Sequence, residues 1–196
     1  MEIIVTRTME EVERACTRLS TAVCLGCDTE TSGLSAKYGK LYSVQFSDGK
    51  LSVLVPISEG IALGPFADLL LNSSIAKVFH NAKFDMEFLK ENGHDVVNVF
   101  DTMIAEKVLT KGANQSASLA ETLYRYFAVD LDKSQRAKFT RKWDGLWTDE
   151  LVNYALSDVV HLPRLMAEQN EWLAKLGLQT VFSEQMQKIR QSVSLP

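Results

Sequence analysis

The residues best placed to do chemistry are Asp28 and Glu30, which follow the apolar run Val23-Cys24-Leu25-Gly26-Cys27. That run, bounded by polar residues, reads as a buried strand whose acids emerge where it leaves the core. Side chains alternate across a strand, so Asp28 and Glu30 share a face. Two carboxylates side by side at the end of a buried strand repel each other unless a cation lies between them. The pattern asks for a divalent metal.

An acid-x-acid triplet is a weak signal by itself. With 25 acids in 196 residues, chance supplies about three, and the chain carries four, counting Glu11/Glu13, Asp85/Glu87 and Asp130/Asp132. Position and company must single one out. Asp85 lies one turn into a helix that follows the apolar stretch Ala76–Phe79, with Asn81 four residues before it. A helix-capping Asn with a solvated Asp on the first turn accounts for this pair equally simply. Tyr154 and Asp158 are likewise four apart, beside an apolar stripe of Leu151, Ala155, Val159 and Leu162. A boundary Asp paired with an Arg or a backbone donor is the plain alternative there. Taken together, four carboxylates from three separated segments suit two hard cations with oxygen ligands. Two such ions can activate a water and stabilise the leaving oxygen of a phosphodiester. A tyrosine hydroxyl is a poor base at neutral pH but can hold that water by hydrogen bond.

The elements that must position these groups read as follows. Thr8-Met9-Glu10-Glu11 is a capping box opening a helix to Leu19. A strand follows at 22–29, then a hairpin of 41–46 and 51–55 around Ser47-Asp48-Gly49-Lys50, giving three neighbouring antiparallel strands. A short helix (65–71), a strand (76–79), a helix from Asn81 or Ala82 to Asn92 ended by Gly93, and a strand at 96–100 come next. Asp101 is placed to cap a helix over 102–109, and Ser118 opens another to Phe127. Thr148 caps a long helix that Pro163 must kink or interrupt, and 178–193 is a last amphipathic helix. The class is α/β, with a mixed five-stranded sheet of three antiparallel and two parallel strands flanked by helices. Residues 1–196 make one domain, and 178–193 serves it as a packing or linker helix.

Hydrophobic residues form 46% of the chain and charged residues 23%, ordinary for a globular protein. No apolar run approaches the ~20 residues of a membrane span. No secretory signal opens the chain, so the expected compartment is the cytoplasm, with no membrane partner. Three cysteines (16, 24 and 27) are an odd count that argues against a disulfide framework. Cys24 and Cys27, three apart on a strand, face opposite sides, and no later cysteine completes a zinc site. A net charge of −4 argues against nonspecific coating of nucleic acid. Locally, residues 133–142 carry Lys133, Arg136, Lys138, Arg141 and Lys142 with no acid among them, and Phe139, Trp143 and Trp147 are interleaved. That mixture suits phosphate contacts with base stacking, or a solvated surface loop. His80 and His94 read as structural or exposed, since hard-metal sites have little need of imidazole.

Asp28-Thr29-Glu30-Thr31, Asn81-x-x-x-Asp85 and Tyr154-x-x-x-Asp158 together resemble the three motifs of the DEDD 3′–5′ exonucleases, within the DnaQ-like, RNase H-like superfamily. The likeness is to the tyrosine subgroup (DEDDy). The histidine subgroup's position is Asn153 here, and His161 does not fit it. The likeness spans roughly residues 22 to 170, with features similar to family A DNA polymerase proofreading domains (His80 to Asp85, Phe100 to Met103) and to RNase D (Leu131 to Ser134).

The resemblance implies that Asp28, Glu30, Asp85 and Asp158 hold two Mg²⁺ or Mn²⁺ ions. By the same likeness Glu30 contacts the terminal 3′-hydroxyl and Tyr154 orients the attacking water. Thr31 and Leu34 would meet the 3′ end, Leu34 as an apolar wedge, while Asn81 and Asp101 support the site. It implies hydrolysis of single-stranded or frayed 3′ ends to nucleoside 5′-monophosphates, DNA slightly favoured over RNA. RNase D-like RNA trimming and a catalytically silent nucleic-acid-binding domain are the alternatives. The C-terminal stretch from Gly177 also resembles the helix that leads into a polymerase domain, so association or fusion with a polymerase is a further expectation.

Overall fold

A computed structural model of the chain describes residues 2–111, 113–132 and 134–194, Arg136 and Ser194 by backbone alone. The strands are β1 (Glu2–Val5), β2 (Cys24–Thr31), β3 (Leu41–Ser47), β4 (Leu51–Val55), β5 (Ala76–Phe79) and β6 (Val99–Asp101). The helices are α1 (Met9–Leu19), α2 (Phe66–Leu71), α3 (Ala82–Glu91), α4 (Thr102–Leu109), α5 (Leu119–Phe127), α6 (Asp149–Ser157), α7 (Leu162–Lys175) and α8 (Gln179–Ser194). One mixed sheet runs β1-β4-β3-β2-β5-β6. β2, β3 and β4 are antiparallel, and β5 and β6 continue parallel to β2.

The sheet has six strands where the sequence predicts five. The addition is β1, which pairs parallel with β4 from Glu2↔Leu51 to Val5↔Leu54. Ile3, Ile4 and Val5 are β-branched, but four residues at a half-exposed edge show no alternation to read. β2 also runs two residues further than expected, so Asp28 and Glu30 lie within it.

Local signals set most boundaries. The Thr8 side chain accepts from Glu11 N, that of Ser118 from Glu121 N and that of Thr148 from Leu151 N. The hairpin turn closes through Asp48 Oδ1, which accepts from Lys50 N and Leu51 N at 2.8 Å each. Gly49 takes φ 89° there, a value that suits glycine. The long helix expected after Thr148 is two helices, with Pro163 in the first turn of α7, where its missing N–H costs nothing.

Two apolar layers sandwich the sheet. α1, α2, α3 and α8 supply the layer holding Leu25, Cys27, Val44, Phe46 and Phe79. α4, α5, α6 and α7 supply the other, against Leu54 and Val78. β3 is buried at all seven positions, so the polar half of its alternation faces helices rather than water. There Gln45 Nε2 donates to Ser43 Oγ at 2.6 Å, and Ser47 Oγ meets Ser52 Oγ at 2.8 Å. Cys24 and Cys27 fall on opposite faces as expected, and all three cysteines are free thiols. Among the described residues no helix is long and apolar enough to cross a membrane.

Candidate active site

β2 is the strand on which the three acidic segments meet. Asp28 and Glu30 stand directly across from Gln45 and Ser43 of β3, and Thr29 from Val44. Asp28 and Glu30 therefore share the face covered by α6 and α7, and Thr29 looks to the face covered by α3. Asp28 is half-buried and Glu30 buried. A register shift between Glu30 and Thr31 ends the regular pairing beside the acids.

Asp85 reaches β2 through Thr29. The Thr29 hydroxyl donates to Asp85 Oδ1 at 2.7 Å, although the two are 56 positions apart. Asp85 is 2% exposed. Burial pushes its carboxyl up to about 7, while the Thr29 hydroxyl and the backbone N–H groups of Asp85 and Thr29 pull the other way. Thr29 thus holds the Asp85 carboxyl, a contact that reading the two acids alone passes over.

The segment carrying Asp158 reaches β2 through Gly26. Asp158 is the C-cap residue of α6 and is half-buried. A Cβ on Gly26 would lie 2.2 Å from the Val159 carbonyl oxygen and 3.1 Å from Leu162 Cβ. Only a residue without a side chain lets the α6–α7 junction seat this closely, two residues before Asp28 and one after Asp158.

Asp101 does more than cap α4. Its carboxylate accepts from Met103 N and Ile104 N of α4 and from Asn81 N and Ala82 N at the start of α3, at 2.8–3.2 Å. It is fully buried, which raises its pKa, while the four N–H groups lower it. One carboxylate thus caps both helices. Asn81, four residues before Asp85, takes φ 75°, a left-handed conformation that Asn tolerates, and makes no side-chain cap bond. The capping Asn offered by the plain sequence alternative is therefore replaced by Asp101. The His80 ring joins Thr102 Oγ1 at 2.8 Å and the Ala117 carbonyl at 2.9 Å, a structural role as expected.

Tyr154 is buried in an aromatic cluster with Tyr42 and Phe139, edged by Trp143 and Trp147. Its ring lies 5.9 Å from that of Phe139, and the Tyr42 hydroxyl donates to the Thr140 carbonyl at 2.6 Å. The aromatic residues of the basic segment thus point inward. Phe139 is buried and Trp143 half-buried against Tyr42, at 4.7 Å. Phe139 is thus taken up by packing under Tyr154, while Trp143 and Trp147 stay half-exposed at the edge of the cluster. Lys138, Arg141 and Lys142 are exposed. Lys133 and the Arg136 side chain lie outside the described residues. Thr31 donates its hydroxyl to the Gly33 carbonyl at 3.0 Å, and Leu34 is 83% exposed.

Among the described residues, no three His, Cys, Asp or Glu side chains form a group that could hold a metal ion as it stands. The donor chemistry nevertheless fits a hard cation. Every candidate ligand is a carboxylate oxygen, and Gln45, across from Asp28, keeps a buried Oε1 with no hydrogen-bond partner among the described residues.

Comparison with known proteins gives the arrangement its context. A family model described as 3′–5′ exonuclease matches residues 3–171. Ribonuclease D of Zymomonas mobilis is 31% identical over 178 residues, 89% of this chain and 44% of the relative. DNA polymerase I of Aquifex aeolicus is 29% identical over 168 residues, 85% of this chain and 27% of the relative. The chain thus spans less than half the length of these curated relatives. The solved structure of Brucella melitensis NrnC superposes with a TM-score of 0.82 at 25% identity, covering 98% of this chain and 92% of that one. The family match takes in all three acidic segments that β2 brings together, and the chain belongs to the 3′–5′ exonuclease family.

Proposed function

We propose that the chain is an RNA-directed 3′–5′ exonuclease that removes 5′-mononucleotides one at a time from single-stranded 3′ ends, as a single domain over residues 1–196. The observation that carries this is the meeting of three acidic segments on β2: Asp28 and Glu30 in the strand, Asp85 through Thr29, and Asp158 beside Val159 at Gly26. Kinship with ribonuclease D over most of this chain favours RNA, against the slight preference for DNA in the sequence reading.

In this reading Asp28, Glu30, Asp85 and Asp158 hold two Mg²⁺ or Mn²⁺ ions. The ions would supply a water of lowered pKa and charge stabilisation of the leaving oxygen. Asp85 keeps the Thr29 bond through Oδ1. Glu30 accepts the hydroxyl of the terminal ribose. Tyr154, its ring fixed by Phe139 and Tyr42, holds the attacking water by its hydroxyl. Thr31 and Asn81 contact the end nucleotide, and exposed Leu34 inserts between the last bases. The compartment we assign is the cytoplasm. Association or fusion with a polymerase domain stays a secondary proposal, resting on the likeness of the stretch from Gly177 and on the kinship with a DNA polymerase I.

The test is digestion of matched RNA and DNA oligonucleotides with Mg²⁺, with Mn²⁺ and with chelator. RNA should be shortened from its 3′ end only when metal is present. An Asp28→Ala chain should lose at least about a thousandfold in rate with its unfolding curve unchanged. Undiminished cleavage by that chain would refute the mechanism, and equal digestion of DNA would refute the substrate.

A further inference from the structure

The loop between β2 and β3 departs from ordinary surface loops in being locked at every side. Ser32 N donates to the Lys40 carbonyl at 2.9 Å, and Lys40 N donates back to Ser32 Oγ at 2.8 Å, closing residues 32–40 on themselves. Within it, Gly39 N donates to the Ser35 carbonyl at 2.7 Å. Gly39 also sits so close to Phe88 of α3 that a Cβ there would lie 2.8 Å from the ring. On the other flank, Arg141 Nη2 donates to the Tyr38 carbonyl at 2.9 Å, and Tyr42 fixes Thr140. The loop therefore joins the Asp85 helix to the basic segment.

This locked loop holds two large apolar side chains out in solvent, Leu34 at 83% and Tyr38 at 67% exposure. Lys37 places its ammonium 5.5 Å from the Tyr38 ring centre. Lys40, Arg141 and Lys142 are exposed alongside. Phe139 is buried under Tyr154 and Trp143 and Trp147 are half-buried beside it, so Tyr38 is the more exposed aromatic ring next to the basic segment. An exposed aromatic ring with a lysine over it and an arginine on its own carbonyl complements a single-stranded polyanion with stackable bases. On a chain whose net charge is −4, that local reversal of sign needs a counterpart of its own.

We propose that Tyr38, with Lys37, Lys40, Arg141 and Lys142, is a second contact surface on which a nucleotide upstream of the 3′ end stacks, so that longer single strands are held better than the shortest ones. This rests on the exonuclease reading. Leu34 engages the last bases, and Tyr38, four residues on in the same closed loop, engages a base before them. The cations of the basic segment take the phosphates between.

The test uses the full chain and single-stranded RNAs of two, five and ten nucleotides. Binding is measured by fluorescence anisotropy in chelator, and KM and kcat in Mg²⁺. Tyr38→Ala should weaken the five- and ten-mers about tenfold and raise their KM by a similar factor at unchanged kcat, leaving the dinucleotide within about twofold. Tyr38→Phe should keep the wild-type affinity, since the ring does the stacking. Arg141→Gln with Lys142→Gln should flatten the salt dependence for the ten-mer by about 0.7 per charge removed. Equal affinity of Tyr38→Ala and wild type for the ten-mer would overturn the inference alone, provided wild type binds and cuts. An equal loss on the dinucleotide would also overturn it, placing Tyr38 at the terminal nucleotide instead. Wild-type protein that neither binds nor cuts any of the three RNAs would overturn the exonuclease reading with it.

Discussion

Thr29 and Lys77 show how much depends on single buried polar groups. The Thr29 hydroxyl is the direct tie between the strand of the first two acids and the helix of the third. A hydrogen bond to a charged group contributes about 1.5–3 kcal/mol. Thr29→Val should therefore lower unfolding stability at pH 8, where Asp85 is ionised, by about 2 kcal/mol. It should also slow cleavage about tenfold with KM held, since the carboxylate loses its orientation. Thr29→Ser should restore most of both, read by urea unfolding and by oligonucleotide digestion. Lys77 is fully buried, its ammonium donating to the Asn72 and Ile75 carbonyls at 2.6 and 2.7 Å. Burial lowers its pKa to about 8, below its ordinary value near 10.5. Between those values the unfolded chain binds more protons than the folded one, so this group makes stability rise with pH. From pH 7.5 to 9.5 wild type should gain about 2 kcal/mol relative to Lys77→Met. Parallel urea curves at the two pH values check it, and a constant gap would dismiss the assignment.

At the scale of elements, the site depends on contacts that place whole segments against β2. Gly26 is where the α6–α7 junction rests. Gly26→Ala must push the Val159 carbonyl away, because a Cβ at 2.2 Å from a backbone oxygen has nowhere to go. Overpacking of this kind costs about 1–3 kcal/mol. The shift falls next to Asp158, a metal ligand in the function we propose, and a displacement of about 1 Å in such a group is worth about a hundredfold in rate. We expect a folded chain with thermal stability reduced and cleavage down at least that far. Cleavage at the wild-type rate would show that Asp158 is positioned from elsewhere. Asp101 works by the same logic on the opposite side, capping α3 and α4 together and so fixing where the Asp85 helix begins.

Across the whole molecule, the sheet separates two apolar layers, and α8 closes both. Met186 and Val193 belong to the layer with α1 and α3, and Phe182 touches both layers, 4.7 Å from Phe100. Lys90 Nζ ties the Val193 carbonyl to α3 at 2.7 Å. α8 therefore packs against both layers, and we read it as a packing helix of the domain. Removing residues 178–196 should uncover both layers and abolish a single cooperative urea transition, with dye binding to exposed apolar surface as the second readout. A truncated chain that unfolds as steeply as the full one would restore the linker reading.

What the sequence determined by itself were the features written within a few residues: capping boxes, the Asp48-Gly49 turn, Asp101 ahead of α4, the break at Pro163, and the order and spacing of the acids. Each rests on a hydrogen bond or a backbone restriction between near neighbours, and so leaves a local signature. Only the tertiary structure decided what lies across long stretches of chain. It pairs β1 with β4, turns the rings of the basic segment inward beneath Tyr154, gives Asp101 a second helix to cap, and lets Thr29 hold Asp85. In those cases the same residue type satisfies its chemistry equally well with a near partner or a far one. Packing around the sheet makes the choice, and packing is the sum of contacts that no short window of sequence contains.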